Sequence, residues 1–491
     1  MSTRAPGSSA DRWSFPRTIV QLACAAVLAL LAACAAPQSA SRPPNIVVVL
    51  VDDLGWRDLG FSGQEWVRTP RLDALAREGL RFEQAYAANP VCSPTRAALL
   101  TGKYPARIGI HDWIPGDPPG NRSLVPPSDL DQLPLEHTTT AEALRARGYA
   151  TFHVGKWHLG GAGFLPQDQG FDVNWMGRET GHPASHHSPW GAARDGKPAA
   201  SHEVRPLSRP PQDGEYLADR QISDALELAR GAVRNGQPFY IYLPLYSVHA
   251  PIEAKAATIE DHKRWRAGRI AASGGTLSEP RLPGVRYAAM LEDMDAACGR
   301  LLDGLDSIGV GSDTLILLTS DNGGLATISD NAPLRGGKRS LWEGGLRVPL
   351  IVRWPGSVAP GAVCREPVIS QDVHATLCAV AGAQADATVR EDARSLLPLL
   401  RGEQTALAPR DLYWHFPQYE IDGAPPRGAL RSGRWKLHES FVDGSVRLYD
   451  LDADPGESVD LAGSNPAVAA ELVGRLRSWR AKVGAAMPVP R

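Results

Sequence analysis

The run Asn45–Val51, NIVVVLV, carries no polar residue after its asparagine. Successive side chains of a strand point to opposite faces, so a half-exposed strand alternates apolar and polar residues. An unbroken β-branched run suits a strand covered on both faces, as in a parallel sheet with helices on either side. Similar runs occupy 149–154, 239–245, 314–319 and 347–352. Helical patterns separate them over 72–78, closed by Gly79, over 138–147, closed by Gly148, and over 216–234 and 287–308. This alternation predicts an α/β fold with a large, mostly parallel sheet flanked by helices.

Four of these strands end in chemistry. Asp52-Asp53 follows the first, Gly155-Lys156-Trp157-His158 the second, His249 the third and Asp321-Asn322 the fourth. Sites in open α/β sheets lie beyond the carboxyl ends of strands. One acidic pair after a strand is as readily a turn or a helix cap, but four coincidences predict one site assembled from distant segments. Past residue 400 the pattern changes. Short strands over 430–431, 435–438 and 446–449, separated by Ser432-Gly433 and Asp443-Gly444, read as an antiparallel meander, with a helix over 466–483. The predicted organisation is a catalytic domain over 45–405 and a small C-terminal antiparallel α+β domain over 406–491.

The 491 residues are 43% hydrophobic and 22% charged, an ordinary globular composition. With 52 basic against 54 acidic residues there is no general basic field, which argues against nucleic-acid binding. Only eight of the 52 cations are lysines. A lysine beside chemistry therefore stands out, because an ammonium is a point charge that arginine does not mimic.

Arg4, Arg12 and Arg17 precede a short, Ala-rich apolar stretch over 19–31. That pattern is a signal peptide, too short for a comfortable membrane span. Leu31-Ala32-Ala33-Cys34 resembles a bacterial lipobox, with cleavage before Cys34 and a lipid anchor on its thiol; ordinary cleavage near Ala36 is the alternative. Residues 1–33 then form the leader and 34–44 a tether. The expected location is outside the cytosol, as a periplasmic protein or an outer-membrane-anchored lipoprotein. Cys364 and Cys378 are available for pairing in an oxidising compartment, and the sequence leaves that open.

The segment Cys92-Ser93-Pro94-Thr95-Arg96 opens a predicted helix, with Ser93 as N-cap, Pro94 in the first turn and Gly102 at the stop. Cys92 then sits at a helix N-terminus, where free N–H groups favour an anion. An isolated cysteine there is ordinarily a small buried side chain. This run, followed by Thr101-Gly102-Lys103, resembles the C-x-P-x-R signature of the formylglycine-dependent, arylsulfatase-like sulfatases of the alkaline-phosphatase superfamily. Asp52-Asp53, Gly155-Lys156-Trp157-His158-Leu159-Gly160, Ser320-Asp321-Asn322-Gly323, Arg335-Gly336-Gly337-Lys338 and the tail Leu448-Tyr449-Asp450-Leu451 resemble further motifs in the family's order.

The resemblance implies a sulfatase acting on a sulfated small molecule or glycan. It implies that a formylglycine-generating enzyme converts Cys92 to formylglycine, whose hydrate attacks sulfur and later eliminates sulfate. Asp52, Asp53, Asp321 and Asn322, with the converted Cys92, are the implied metal ligands. Hard oxygen donors favour Ca²⁺ or Mg²⁺ over Zn²⁺, and the family implies Ca²⁺. Arg96, one helical turn after Cys92, would hold the nucleophile and the ligands. Asp321 would accept the proton of the attacking hydroxyl. Lys156 and Lys338 suit sulfate oxygens, His158 would assist elimination, and Lys338 with His249 would serve the leaving oxygen. Lys103 is expected to support Arg96 or the helix end, and Cys298 to be core. His182, His186 and His187 suggest substrate contact more than a second metal, and Trp113, Trp175 and Trp190 either stack on sugars or pack. Substrate loops are expected at 112–135, 161–215 and 252–283, with Arg194, Arg205, Arg264, Arg266 and Arg269 available to a polyanion. Two other readings compete: a formylglycine-dependent phosphodiesterase or phosphonate hydrolase, and a non-catalytic relative that binds sulfated glycans.

Overall fold

Strand β1, Asn45–Val51, is the middle of a large sheet, and all seven of its residues are buried. The computed structural model describes residues 1–5, 7, 43–116, 120–191, 200–420 and 423–491. Cys34 and nearly all of the expected leader and tether lie outside them. The chain divides into Met1–Pro43 and Pro44–Arg491, and the fold is that of the second unit. Among the described residues the sheet has nine strands. After β1 come β2 Leu80–Tyr86, β3 Ala150–Val154, β4 Val173–Trp175, β5 Phe239–Pro244, β6 Thr314–Ser320, β7 Arg347–Arg353, β8 Ala362–Cys364 and β9 Val368–Ile369. Their order is β9-β2-β7-β6-β1-β5-β3-β4, with β8 beside β2. The strands from β6 to β4 along this order run parallel, whereas β7 is antiparallel to both β6 and β2.

Helices cover both faces. Val47, Val49 and Val51 pack with α1 Pro70–Glu78, α4 Leu217–Arg234 and α6 Val285–Ser307. Ile46, Val48 and Leu50 pack on the other face with α2 Cys92–Thr101, α3 Thr140–Arg145 and α7 Gln371–Val380. This two-sided burial is the reason for the unbroken apolar run. Each such side chain contributes about 1.5–3 kcal/mol. The exposed helix α5, Ala256–Ala272, occupies most of the expected substrate loop 252–283.

The C-terminal meander has one strand more than the sequence suggested. β10 Asp411–Phe416, β11 Arg427–Ser432, β12 Trp435–Ser440 and β13 Val446–Asp450 pair antiparallel in chain order. Helix α8, Pro466–Val483, packs on them. Trp414, Leu430 and Leu476 share a core with Tyr86 and Ala98 of the large sheet's side. Helix α2 therefore has protein on every side, and all ten of its residues are buried.

Two expectations are corrected and one is resolved. Val91, not Ser93, is the N-cap of α2, and it makes no side-chain cap bond. Ser93 Oγ instead donates to the His158 carbonyl at 2.9 Å and accepts from Ile114 N at 3.0 Å. Lys103 does not reach Arg96; its Nζ lies 3.3 Å from Asp386 and 3.4 Å from His137 Nδ1. Cys364 and Cys378 are free and buried. Cys298 is buried on α6, its Sγ 3.8 Å from Met294 Sδ.

A buried ionic network joins the two sheets. Lys436 Nζ lies 2.8 Å from Glu343 and 3.3 Å from Glu457, with neither lysine nor carboxylates exposed by more than 1%. Tyr86 donates to Glu343 at 2.8 Å, and His438 Nε2 is 2.7 Å from Glu457. Lys436→Met removes the cation that two buried carboxylates share and is expected to lower stability by about 3–5 kcal/mol. A urea unfolding midpoint measures this. Adding Glu343→Gln should recover part of the loss, and an additive double variant would refute the coupling.

Candidate active site

β1, β3, β5 and β6 run parallel, so their carboxyl ends share one edge, and all four strand-end motifs converge there. β1 delivers Asp52 and Asp53, and β6 delivers Asp321 and Asn322 one step along the Val51–Ser320 register. β3 turns into Lys156 through Gly155 (φ 133°), where an added Cβ would lie 2.0 Å from the Pro244 carbonyl oxygen. Only glycine allows that close passage. Asp53 (φ 63°) and His158 (φ 61°) hold left-handed backbone, which is uncommon away from glycine and concentrates at functional sites.

Arg96 points from α2 into this edge and is fully buried. Its Nε and one terminal nitrogen donate to Asp321 Oδ2 at 3.0 and 2.7 Å, and the other donates to the Lys156 carbonyl at 3.0 Å. The guanidinium also lies 3.6 Å from Asp52 Oδ1. Lys156 Nζ donates to Asp52 Oδ2 at 2.7 Å. Lys338 Nζ contacts both oxygens of Asp53, at 2.7 and 2.9 Å. Asn322 Nδ2 donates to Asp53 Oδ1 at 2.8 Å, and His249 Nε2 lies 3.7 Å from Asp53 Oδ2. Three carboxylates thus face three cations in a buried pit.

Burial and charge pull these groups in opposite directions. Burial pushes Asp52 up to about 8 against the opposing charge of Lys156. For Asp53 burial is outweighed by Lys338, His249 and Lys156, which hold it below the usual carboxylate range. Burial likewise yields to Arg96 and Lys156 at Asp321, whose pKa is lowered. The Cys92 thiol is raised by burial, with Lys156 and Lys338 opposing. Burial and Lys338 bring His249 down to about 3. Burial also depresses His158 well below its ordinary value. The Nε2 of His158 lies 2.6 Å from the Ile114 carbonyl, so that nitrogen carries the hydrogen and Nδ1 is the acceptor.

The residues fit a hard divalent cation. Asp52 Oδ1 and Asn322 Oδ1 are buried with no hydrogen-bond partner, which is costly unless something else binds them. Ligand atoms of Asp52, Asp53, Cys92 and His249 lie within 4.8 Å of one another. Asp321 lies behind them, its Oδ2 held by Arg96 and its Oδ1 accepting from Asp53 N at 3.1 Å.

A cavity of about 700 Å³ opens over Asp53, Cys92, His158, His249 and Lys338. Asp52, Arg96, Lys156, Asp321 and Asn322 lie beneath that floor. Several supporting residues were missed by sequence reasoning. Ser93 and Ile114 seat His158, and Gly181 passes so close that an added Cβ would meet its ring at 2.4 Å. His186 is buried and its Nε2 lies 3.0 Å from the His249 carbonyl, so it positions backbone instead of substrate. His187 Nε2 similarly meets the Ala254 carbonyl at 3.3 Å. Their only sequence signal was the density of histidines. Trp190 is fully buried and packs, whereas Trp113 lines the cavity.

Comparisons with known proteins agree with this geometry. Residues 44–383 match the family model described as Sulfatase, and residues 337–482 that described as N-sulphoglucosamine sulphohydrolase, C-terminal. Arylsulfatase A of Homo sapiens is 35% identical over 500 residues, covering 91% of this chain and 89% of that protein. N-acetylgalactosamine-6-sulfatase of Mus musculus is 32% identical over 458 residues, covering 88% and 78%. The crystal structure of Ps i-CgsB in complex with k-i-k-neocarrahexaose superposes with a TM-score of 0.76 at 27% identity, covering 89% of this chain and 93% of that one.

Cation binding to the pit should be visible as stabilisation. At a hundredfold excess over Kd, Ca²⁺ is expected to add about 2.7 kcal/mol, reversed by chelator. Thermal unfolding measures the shift. It should shrink in Asp53→Asn, and an unaltered midpoint in the unsubstituted protein would rule the site out.

Proposed function

The chain belongs to the sulfatase family, and from that premise we propose that this sulfuric ester hydrolase cleaves a carbohydrate or aryl sulfate through a formylglycine made from Cys92, with Ca²⁺ held in the acidic pit. The observation that carries the reading is the convergence of Cys92, at the N-terminus of a buried helix, with the three carboxylates, Asn322 and the two lysines. The hydrated formylglycine supplies an attacking hydroxyl and a second hydroxyl for release of sulfate. Asp52, Asp53, Asn322, Asp321 and residue 92 would hold the cation, which would supply positive charge to the oxygens of the transferring group.

The remaining work belongs to this chain's own groups. Arg96 holds Asp321 and, through the Lys156 carbonyl, the turn after β3. Asp321 is the proposed proton acceptor for attack. Lys156 and Lys338 present ammonium groups to sulfate oxygens. Lys338 and His249 stand at the cavity floor, where the leaving oxygen takes its proton. His158 Nδ1 has no hydrogen-bond partner. It is poised to accept the hydroxyl proton during elimination.

The leader supports an exported protein, anchored through a lipid on Cys34 and matured by a formylglycine-generating enzyme. Labelling with a fatty acid should mark the protein and be lost in Cys34→Ser; persistent labelling would refute the anchor.

Activity is tested on protein co-expressed with a formylglycine-generating enzyme. The peptide spanning residue 92 should be lighter by one sulfur and two hydrogens, and heavier by one oxygen. Turnover of an aryl sulfate should fall by about 10²–10⁴-fold in Lys338→Ala and be abolished in Cys92→Ala. A strong preference for an aryl phosphate diester would transfer the reading to phosphodiester or phosphonate hydrolysis. An unaltered thiol in inactive protein would leave a sulfated-glycan binder.

A further inference from the structure

The walls of the cavity differ in kind from its floor. Trp113, Ile114 and Pro115 form one stretch of wall, and Ile252, Leu325 and Ile328 another. His182 and His202 complete it as a stacked pair, with ring centroids 4.0 Å apart and planes inclined by 15°. His182 is also parallel to His249 within 7°, at 5.9 Å. Burial depresses the pKa of His202, with the neighbouring His182 and Arg178 adding to the effect. These are flat or apolar surfaces, of the kind that hold a ring by stacking and desolvation.

The charges on the walls do not suit a polyanion. Among the described lining residues the cations are Lys338 and Arg339, and Lys338 already faces Asp53. The wall carries two carboxylates instead, Asp131 and Glu179. Asp131 has no ion-pair partner among the described residues. Glu179 leans on Arg178 at 2.6 Å and keeps 48% of its side chain exposed. The arginines that the sequence offered to a polyanion are engaged elsewhere. Arg264 pairs with Asp261, Arg266 with Glu279 and Arg269 with Glu65, all around α5, and none lines the cavity. Arg205 pairs with Glu203 outside the lining, and Arg194 lies outside the described residues.

We propose that the alcohol released is an uncharged, ring-bearing apolar one carrying only the sulfate that is cleaved, and that Asp131 and Glu179 are specificity-determining residues that reject a second anionic group. This deepens the sulfatase reading and rests on it. The floor binds one sulfate, and a second anion on the leaving alcohol would meet Asp131, Glu179 and apolar rings, with Arg339 the one further cation among the described lining residues.

The test uses the matured enzyme with 2-naphthyl sulfate and the same ester bearing a ring sulfonate. The uncharged leaving group is expected to be favoured about tenfold or more in kcat/KM, because a like charge at a binding rim opposes both encounter and seating. The ratio should fall toward one in Asp131→Asn/Glu179→Gln and invert in Asp131→Lys. Raising the ionic strength should narrow it in the unsubstituted enzyme, a readout that does not depend on how the variants fold. Equal rates on the two esters, preference for the sulfonate, or a ratio unmoved by both salt and substitution would overturn the proposal. Hydrolysis of neither ester by protein with a converted residue 92 that still releases sulfate from a sulfated sugar would overturn this proposal and leave the sulfatase reading standing, whereas release from none of them would remove both.

Discussion

Arg96 reaches from the helix that begins at Cys92 to the end of the central strand pair, and it is fully buried there with two bonds to one oxygen of Asp321. Desolvating a guanidinium and a carboxylate is expensive, and here two N–H bonds to one carboxylate oxygen and a third to the Lys156 carbonyl offset that cost. One side chain therefore ties together α2, the turn after β3 and the end of β6. Moving any of these elements would strand a buried charge. This makes the position of Cys92 relative to the acidic pit a consequence of the fold's electrostatics as much as of its packing.

The same logic extends outward from Arg96. Three carboxylates and three cations balance in a largely buried space, each held by a partner from a distant segment of the chain. The two oxygens left without a hydrogen bond, on Asp52 and Asn322, mark where that balance is incomplete. Lys156 and Lys338 occupy carboxylates that a cation would share, which couples their orientation to what the pit contains. The left-handed backbone at Asp53 and His158 is kept by the surrounding hydrogen bonds, an arrangement that rigid strand ends sustain better than loops.

The cavity above is built on a different principle. Its floor hangs on the strand ends and on the N-terminus of α2, whereas its walls come from loops around residues 113–115, 179–182, 249–252 and 325–328. Chemistry is thus carried by the rigid sheet and selection by the connections, which vary without disturbing the core.

Much of the site was legible in the chain alone. Unbroken apolar runs marked strands covered on both faces, and Asp52-Asp53, Lys156, His158, His249 and Asp321-Asn322 stood immediately beyond them. Periodicity and strand-end position are local properties, so adjacent residues suffice to read them. The signature from Cys92 to Arg96 is local as well. What the chain could not disclose are contacts between segments distant in sequence. Ser93 looks like a helix cap until the His158 carbonyl, 65 positions away, claims its hydroxyl. Arg96 and Asp321 are 225 positions apart, and only packing brings two guanidinium N–H groups onto one carboxylate oxygen. His186 reads as a substrate contact until its ring is seen against the His249 carbonyl. The strand Asp411–Phe416 was not read from the chain, and pairing with Arg427–Ser432 defines it. The sequence by itself determined the layered α/β architecture and the groups at the strand ends, because those follow from side-chain period and residue chemistry. Only the tertiary structure decided which partners neutralise each charge and which residues wall the cavity, because these depend on distances that no local pattern encodes.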